Sequence, residues 1–325
     1  MSKKIILSNS SKVIMYNGQL KYTNELKNGD EIMSIKLSPI KISNVINTKN
    51  DLYEIKLQKG DSFFLPENGN ILINSNKYIT INDYLKLNDK DKKKMLCSIQ
   101  SIDFKENKVE FSPYILGIWL TCGQIDSASI KFTSEIVCEY VKTYFKNIGQ
   151  KLKLMKGDSQ RYYVGALEKK NVFNDFLNKY NLFNNRHIPD HYLFNSNKNR
   201  LELLAGILDG KSEVDKGMYR YTNKNIDLVK QIKFLVDSLG FYGNIKVLTK
   251  ILKGKSYTHY RINISGKELN KIPVLQDIKK INNRTSSKNS CCQKFSIEKT
   301  DFNDCVSIIL DKDEAILLEN LIGVR

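Results

Sequence analysis

The sequence predicts an α+β protein in which an all-β domain is split by an inserted, internally duplicated α+β domain. Three observations predict it. Short strand patterns with Gly/Asn turns fill both ends of the chain. Between them stand two compact apolar helices, each centred on a glycine and roughly 90 residues apart, a spacing longer than an ordinary solenoid repeat. The segment after each helix repeats too, as a strand and then an amphipathic helix.

The 325 residues, 41% of them apolar, leave room for about two domains with real cores. No apolar run approaches the roughly 18 to 20 residues of a membrane-spanning helix. The apolar stretch after Met1-Ser2-Lys3-Lys4 is too short for a signal peptide. The expectation is an intracellular protein without a membrane partner, its nuclear or cytoplasmic address undetermined. The net charge of +17 comes from 52 Lys and Arg against 35 Asp and Glu, spread along the chain. Such a surplus favours polyanions, nucleic acid first. An AT-rich genome, which loads a protein with Lys, Asn, Ile and Tyr, gives the same composition without a function. Cys97, Cys122, Cys138, Cys291, Cys292 and Cys305 form no CxxC pair. His187, His191 and His259 do not complete zinc-finger spacing with them, so no metal site is expected.

Element by element, residues 1–105 read as short strands. Lys12–Tyr16 meets the turn Asn17-Gly18, and Leu26–Met33 holds Asn28-Gly29. Leu52–Leu57 alternates with period two before a turn at Lys59-Gly60-Asp61 and the run Ser62–Leu65. The texture changes near Pro113. Tyr114–Leu120 is the first apolar helix; after it come a strand, Ser129–Thr133, and an amphipathic helix, Glu135–Ile148, ending at Gly149. Leu203–Leu208 is the second, with Met218–Thr222 and then Ile226–Leu239, ending at Gly240, behind it. Arg161–Val164 and His259–Ile264 continue the match. The pattern predicts two α+β halves related by pseudo-twofold symmetry within one monomer. Asn282–Ser290 is a polar linker, after which strands return at Cys305–Leu310 and Ala315–Leu318. The expected boundaries are 1–108, 109–283 (halves about 112–198 and 200–283) and 284–325.

These residues resemble a known family. Leu204-Ala205-Gly206-Ile207-Leu208-Asp209 is similar to the first six positions of the LAGLIDADG motif, with Arg200–Leu203 before it in keeping. Ile115–Gly123 resembles the first copy of that motif in intein-borne (DOD-type) homing endonucleases. Lys12–Met33, Asp51–Leu72 and Cys305–Leu318 resemble blocks of the intein splicing domain, the Hint fold. The resemblance covers nearly the whole chain and implies a free-standing intein relative: a split Hint-like β domain holding a duplicated αββαββα LAGLIDADG domain. In that family each motif helix ends, at its eighth position, in an acid that holds Mg²⁺ for phosphodiester hydrolysis, while the strands grip double-stranded DNA.

At the two eighth positions this sequence has Cys122 and Lys211. A thiol suits hard Mg²⁺ poorly, and an ammonium repels it. Asp209 is the nearest acid, yet two helical residues are a rotation of about 200°, which turns it away. The splicing positions fare no better. The N-terminal nucleophile falls near Ile6 (Ser8, Ser10 and Ser11 are out of register), the second-block histidine at Gly69 or Asn70, and the closing asparagine at Arg325. The resemblance therefore implies a duplex-DNA-binding protein, degenerate as a nuclease and unable to splice, with no catalytic residue intact and no cofactor. Mg²⁺ enters only under the alternative of a site-specific endonuclease with an atypical metal site; a decayed selfish element is the third reading. The expected DNA contacts are Lys131, Lys151, Lys153, Arg161, Arg220, Lys246, Lys250, Lys253, Lys255 and Arg261, interleaved with Tyr162, Tyr163, Tyr219, Tyr221 and Tyr260. Lys279 and Lys280 resemble basic residues of the family near the end of its second copy.

Overall fold

Alternation of apolar and polar residues builds the strands at both ends of the chain. Ile5 and Leu7, then Ile40 and Ile42, point inward at period two. Asp304–Leu310 is buried almost continuously because it runs between two neighbours, pairing antiparallel with Lys3–Ser8 on one side and Pro39–Lys49 on the other. The computed structural model describes residues 3–58, 62–75, 77–167, 170–252, 255–282 and 292–325. The turn residues Gly60 and Asp61, Cys291 and nearly all of the polar linker lie outside them.

The chain divides into two compact units, residues 1–104 with 287–325 and residues 105–286. The first contains a four-stranded sheet made of those three strands and Glu31–Met33, a larger sheet around Asn70–Ile73, and a three-stranded sheet in which Phe295–Lys299 pairs with Leu52–Leu57. Its N-terminal part is not all strand, however. Thr80 and Asn88 each accept a backbone N–H and start one-turn helices, Ile81–Leu85 and Asp89–Lys92. Period-two reasoning has no means of seeing such short capped turns.

The second unit mixes helix and strand. Its first half carries α1 (Pro113–Cys122), β1 (Ser129–Lys131), α2 (Glu135–Asn147), β2 (Gln150–Leu154), β3 (Arg161–Ala166) and α3 (Val172–Lys179). Its second carries α4 (Asn197–Lys211), β4 (Ser212–Asp215), β5 (Met218–Asn223), α5 (Ile226–Ser238), β6 (Tyr242–Leu252) and β7 (Lys255–Ser265). Pro113 opens α1 at a position where a missing N–H costs nothing. From there to Thr121 every residue is buried, as in a helix enclosed on all sides. α2 and α5 are amphipathic; Val137, Val141 and Phe145, and Leu228, Ile232 and Leu235, form their inward stripes. The first three strands form one sheet, in the order β1-β3-β2, and the last four another, β4-β5-β7-β6.

Candidate functional site

The site grows from the contact between α1 and α4. A Cβ on Gly117 would stand 2.7 Å from the Ile207 backbone nitrogen, and one on Gly206 would stand 2.9 Å from the Tyr114 carbonyl carbon. Only glycine lets two helical backbones come this close. The contact continues to the C-terminal ends, where Gly210 lies against Thr121 and Cys122. It therefore brings the ends of both helices onto one floor.

At that floor the Cys122 thiol donates to the Gly210 carbonyl at 3.1 Å. Burial raises its pKa, against the pull of the Lys279, Lys211 and Arg186 cations nearby. Lys279 donates to the carbonyls of Leu208 (2.7 Å) and Asp209 (2.8 Å), and burial lowers its pKa. Gln276 adds a bond to the Asp209 carbonyl at 2.7 Å. At the end of α1, Arg186 donates to the carbonyls of Leu120 and Gly123 and lies over the Trp119 ring. The last carbonyls of a helix have no intrahelical donor; here side-chain cations, an amide and a thiol supply one.

The Asp209 carboxylate is already engaged, with Gln276 donating to it from both its backbone and its side-chain nitrogen at 3.3 Å. Asp209 also accepts from the Tyr114 hydroxyl (2.9 Å) and the Leu275 nitrogen (2.6 Å), and only 2% of its surface is exposed. Among the described residues no three of His, Cys, Asp and Glu gather as a metal site. The donor set does not fit a divalent cation: a protonated thiol, a buried carboxylate already bonded, and three positive side chains. A unit charge about 4 Å from a dication costs roughly 8 kcal/mol at an effective dielectric near 20.

No family model matches the chain. Over 158 residues, 48% of this chain, it is 25% identical to the replicative DNA helicase DnaB of Mycobacterium intracellulare. The chain spans 23% of that relative's length. Among solved structures it is similar to the gp41-1 intein, at 18% identity and TM-score 0.24 over 30% of this chain and 69% of that one. It is also similar to mesophilic variants of the homing endonuclease I-DmoI, at 18% identity and TM-score 0.37 over 47% of this chain and 87% of that one. The chain resembles inteins and LAGLIDADG homing endonucleases. Cys122 ends α1 and Lys211 ends α4.

Beside this helix pair, strand register sorts the expected DNA contacts. Lys131 and Arg161 are cross-strand partners, Lys153 opposes Tyr163 and Lys151 opposes Gly165, so one face of the first sheet carries them all. In the second sheet Arg220 opposes Asn263, Thr222 and Lys246 both oppose Arg261, and Asn244 opposes Asn263. Arg220, Lys246 and Arg261 thus share a face as well. Four tyrosines require correction. Tyr219 and Tyr221 are fully buried on the opposite, helix-packed face, with their hydroxyl pKa values pushed up to about 12 by burial. Tyr162 likewise turns from the lysines and packs on Phe132. Tyr260 is in register with Asn223 and Val247, on the Tyr221 side. Lys279 is also not on a strand face, since its ammonium is spent on helix carbonyls. Lys280 is exposed and paired with Asp277 at 2.7 Å. Lys253 lies outside the described residues, and Lys250 and Lys255 are described in backbone alone.

In the first unit lie the residues expected at splicing positions. Ile6 sits mid-strand opposite Ser307. Ser8 is fully buried and bonded to Ser10 at 2.8 Å; Ser11 is buried too. Gly69 closes a turn on Pro66, and Asn70 and Arg325 exchange backbone hydrogen bonds at 3.1 and 3.2 Å. All three histidines of the chain fall in the second unit. Sequence reasoning missed Arg186 and Gln276, whose roles depend on partners distant in the chain, and the strand-face residues Asn244 and Asn263.

Proposed function

We propose that this chain is a duplex-DNA-binding protein of intein and homing-endonuclease descent that has kept its grip on DNA and given up both chemistries. The second unit would be a pseudo-twofold duplication inserted at about residues 109–283, its two strand faces lying along the duplex. The observation that carries the proposal is the floor between the motif helices: a protonated thiol at Cys122 and cations at Lys211, Lys279 and Arg186. Hydrolysis of a phosphodiester by two metal-holding acids has no acids there to use. Phosphate binding needs only positive charge, and the floor and both strand faces supply it. In the first unit, the lack of any histidine and the isoleucine at position 6 remove the proton donor and nucleophile that splicing needs.

The test uses the full chain with randomised duplex and plasmid libraries, with Mg²⁺, with Mn²⁺ and with EDTA. Duplex binding indifferent to EDTA, without double-strand breaks, is the expected outcome. Metal-dependent cleavage that Asp209→Asn abolishes would overturn it in favour of a nuclease with an atypical site. No duplex binding under any condition would leave a decayed element.

A further inference from the structure

We propose that the first unit binds a nucleoside monophosphate, free or at the phosphorylated end of a strand, in a basic cavity floored by aromatic rings. The cavity lies wholly within that unit, so the inference stands apart from duplex binding by the second. Two short helices and one strand build it. Ile81–Leu85 supplies Tyr84, and Asp89–Lys92 with the residues after it supplies Lys92, Lys93 and Met95. Lys294 and Phe295 arrive from the far end of the chain, where the strand Phe295–Lys299 begins. The cavity measures about 180 Å³, less than the roughly 300 Å³ at which sites for drug-sized ligands begin. It suits a single flat ring, with the charged part of the ligand held at the rim.

The floor is aromatic. The Tyr84 and Phe295 rings have centroids 4.8 Å apart and are inclined by 32°. Tyr84 is buried, and its hydroxyl donates to the Phe295 carbonyl at 3.4 Å. Phe295 is only half-buried, so its ring still has area to offer. A nucleobase stacks on such a ring whatever its identity, because every base has a π-face. The rim is basic. Lys92, Lys93 and Lys294 form no ion pair among the described residues, whereas the neighbouring Lys94 is paired with Asp91 at 2.7 Å. The Lys92 ammonium stands 5.7 Å from the centre of the Tyr84 ring, beside the floor. Against the single carboxylate of the lining, Asp89, the three ammoniums leave a surplus of two positive charges. A phosphate monoester carries about −1.5 to −2 near pH 7, and a diester of the strand backbone only one charge. Charge therefore matches a terminal phosphate, and compact, rotatable ammoniums suit it.

Calorimetric titration of the full chain with AMP, adenosine and ribose 5-phosphate tests this. AMP should bind at least roughly 10-fold more tightly than either, since each lacks one half of what the cavity holds. Phe295→Leu should remove the advantage over ribose 5-phosphate. Lys294→Ala should weaken AMP roughly 10-fold, and Lys92→Ala repeats that measurement should the first variant fail to fold by circular dichroism. Lys90→Ala, exposed and outside the lining, should change nothing. Competition then separates the two sources. Displacement of AMP by a single-stranded oligonucleotide with a 5′-phosphate, but not by its 5′-hydroxyl counterpart, marks a strand end; displacement by neither marks the free nucleotide. Equal displacement by both would overturn the proposal, as would AMP binding no tighter than its two fragments. A loss in Lys90→Ala equal to that in Lys294→Ala would reduce the site to unspecific surface charge. Duplex binding by the second unit is untouched by any of these results.

Discussion

Cys122, at the end of α1, does structural work. Its thiol closes a helix-end carbonyl, and burial holds the proton on sulfur. A raised folded-state pKa means that the folded chain keeps this proton above the ordinary value of 9.0, where the unfolded chain loses it. The stability it contributes is therefore complete below about pH 9 and is lost as pH rises through the folded value. Alkylation by iodoacetamide, followed residue by residue by mass spectrometry, should be slow at Cys122 in the native protein and rapid in urea. Equal rates in both states would mean that the thiol is free. Asp209 makes the complementary point, because an acid two positions away is spent on holding Tyr114 and Leu275.

At the scale of elements, the helix pair is legible in the sequence because the Leu-Ala-Gly run and its partner around Gly117 state a close backbone approach directly. Gly206→Val should cost about 3 kcal/mol or more, since the new atoms meet the Tyr114 carbonyl and the Ile118 nitrogen, neither of which can yield without parting the helices. Gly149→Ala, placed in open space at φ +71°, should cost only about 1 kcal/mol. Urea midpoints of the two variants check the contrast; similar losses would place the helices farther apart. Other elements are less legible. The sequence Met218-Tyr219-Arg220-Tyr221-Thr222 alternates plainly, but alternation alone does not say which set faces inward, and composition groups the tyrosines with the arginines. β4 comes directly after α4 without a loop, the Ser212 hydroxyl bonding back to the Leu208 carbonyl at 2.7 Å, so no turn residues announce it. Arg186 and Lys279 cap helices more than 60 residues away, a relation that local patterns do not contain.

For the molecule as a whole, charge is the property most directly tied to the proposed function. A net +17 on 325 residues, with lysines on both strand faces, should make duplex binding strongly salt-dependent. Six or so phosphate contacts give a log–log slope near −5. A titration of affinity against KCl measures it, and a flat response would remove backbone contact as the source of binding. No helix among the described residues is long and apolar enough to cross a membrane.

The strand Asp304–Leu310, wedged between Lys3–Ser8 and Pro39–Lys49, has a consequence for biosynthesis. On the ribosome, residues 3–49 emerge early yet lack the central member of their own sheet until about 250 further residues have followed. The glycine-paired helices, complete long before that, are free to mature ahead of it. Late docking of one ribbon then seals the earlier-made ends, and the nascent N-terminal segment must stay open and unaggregated in the meantime.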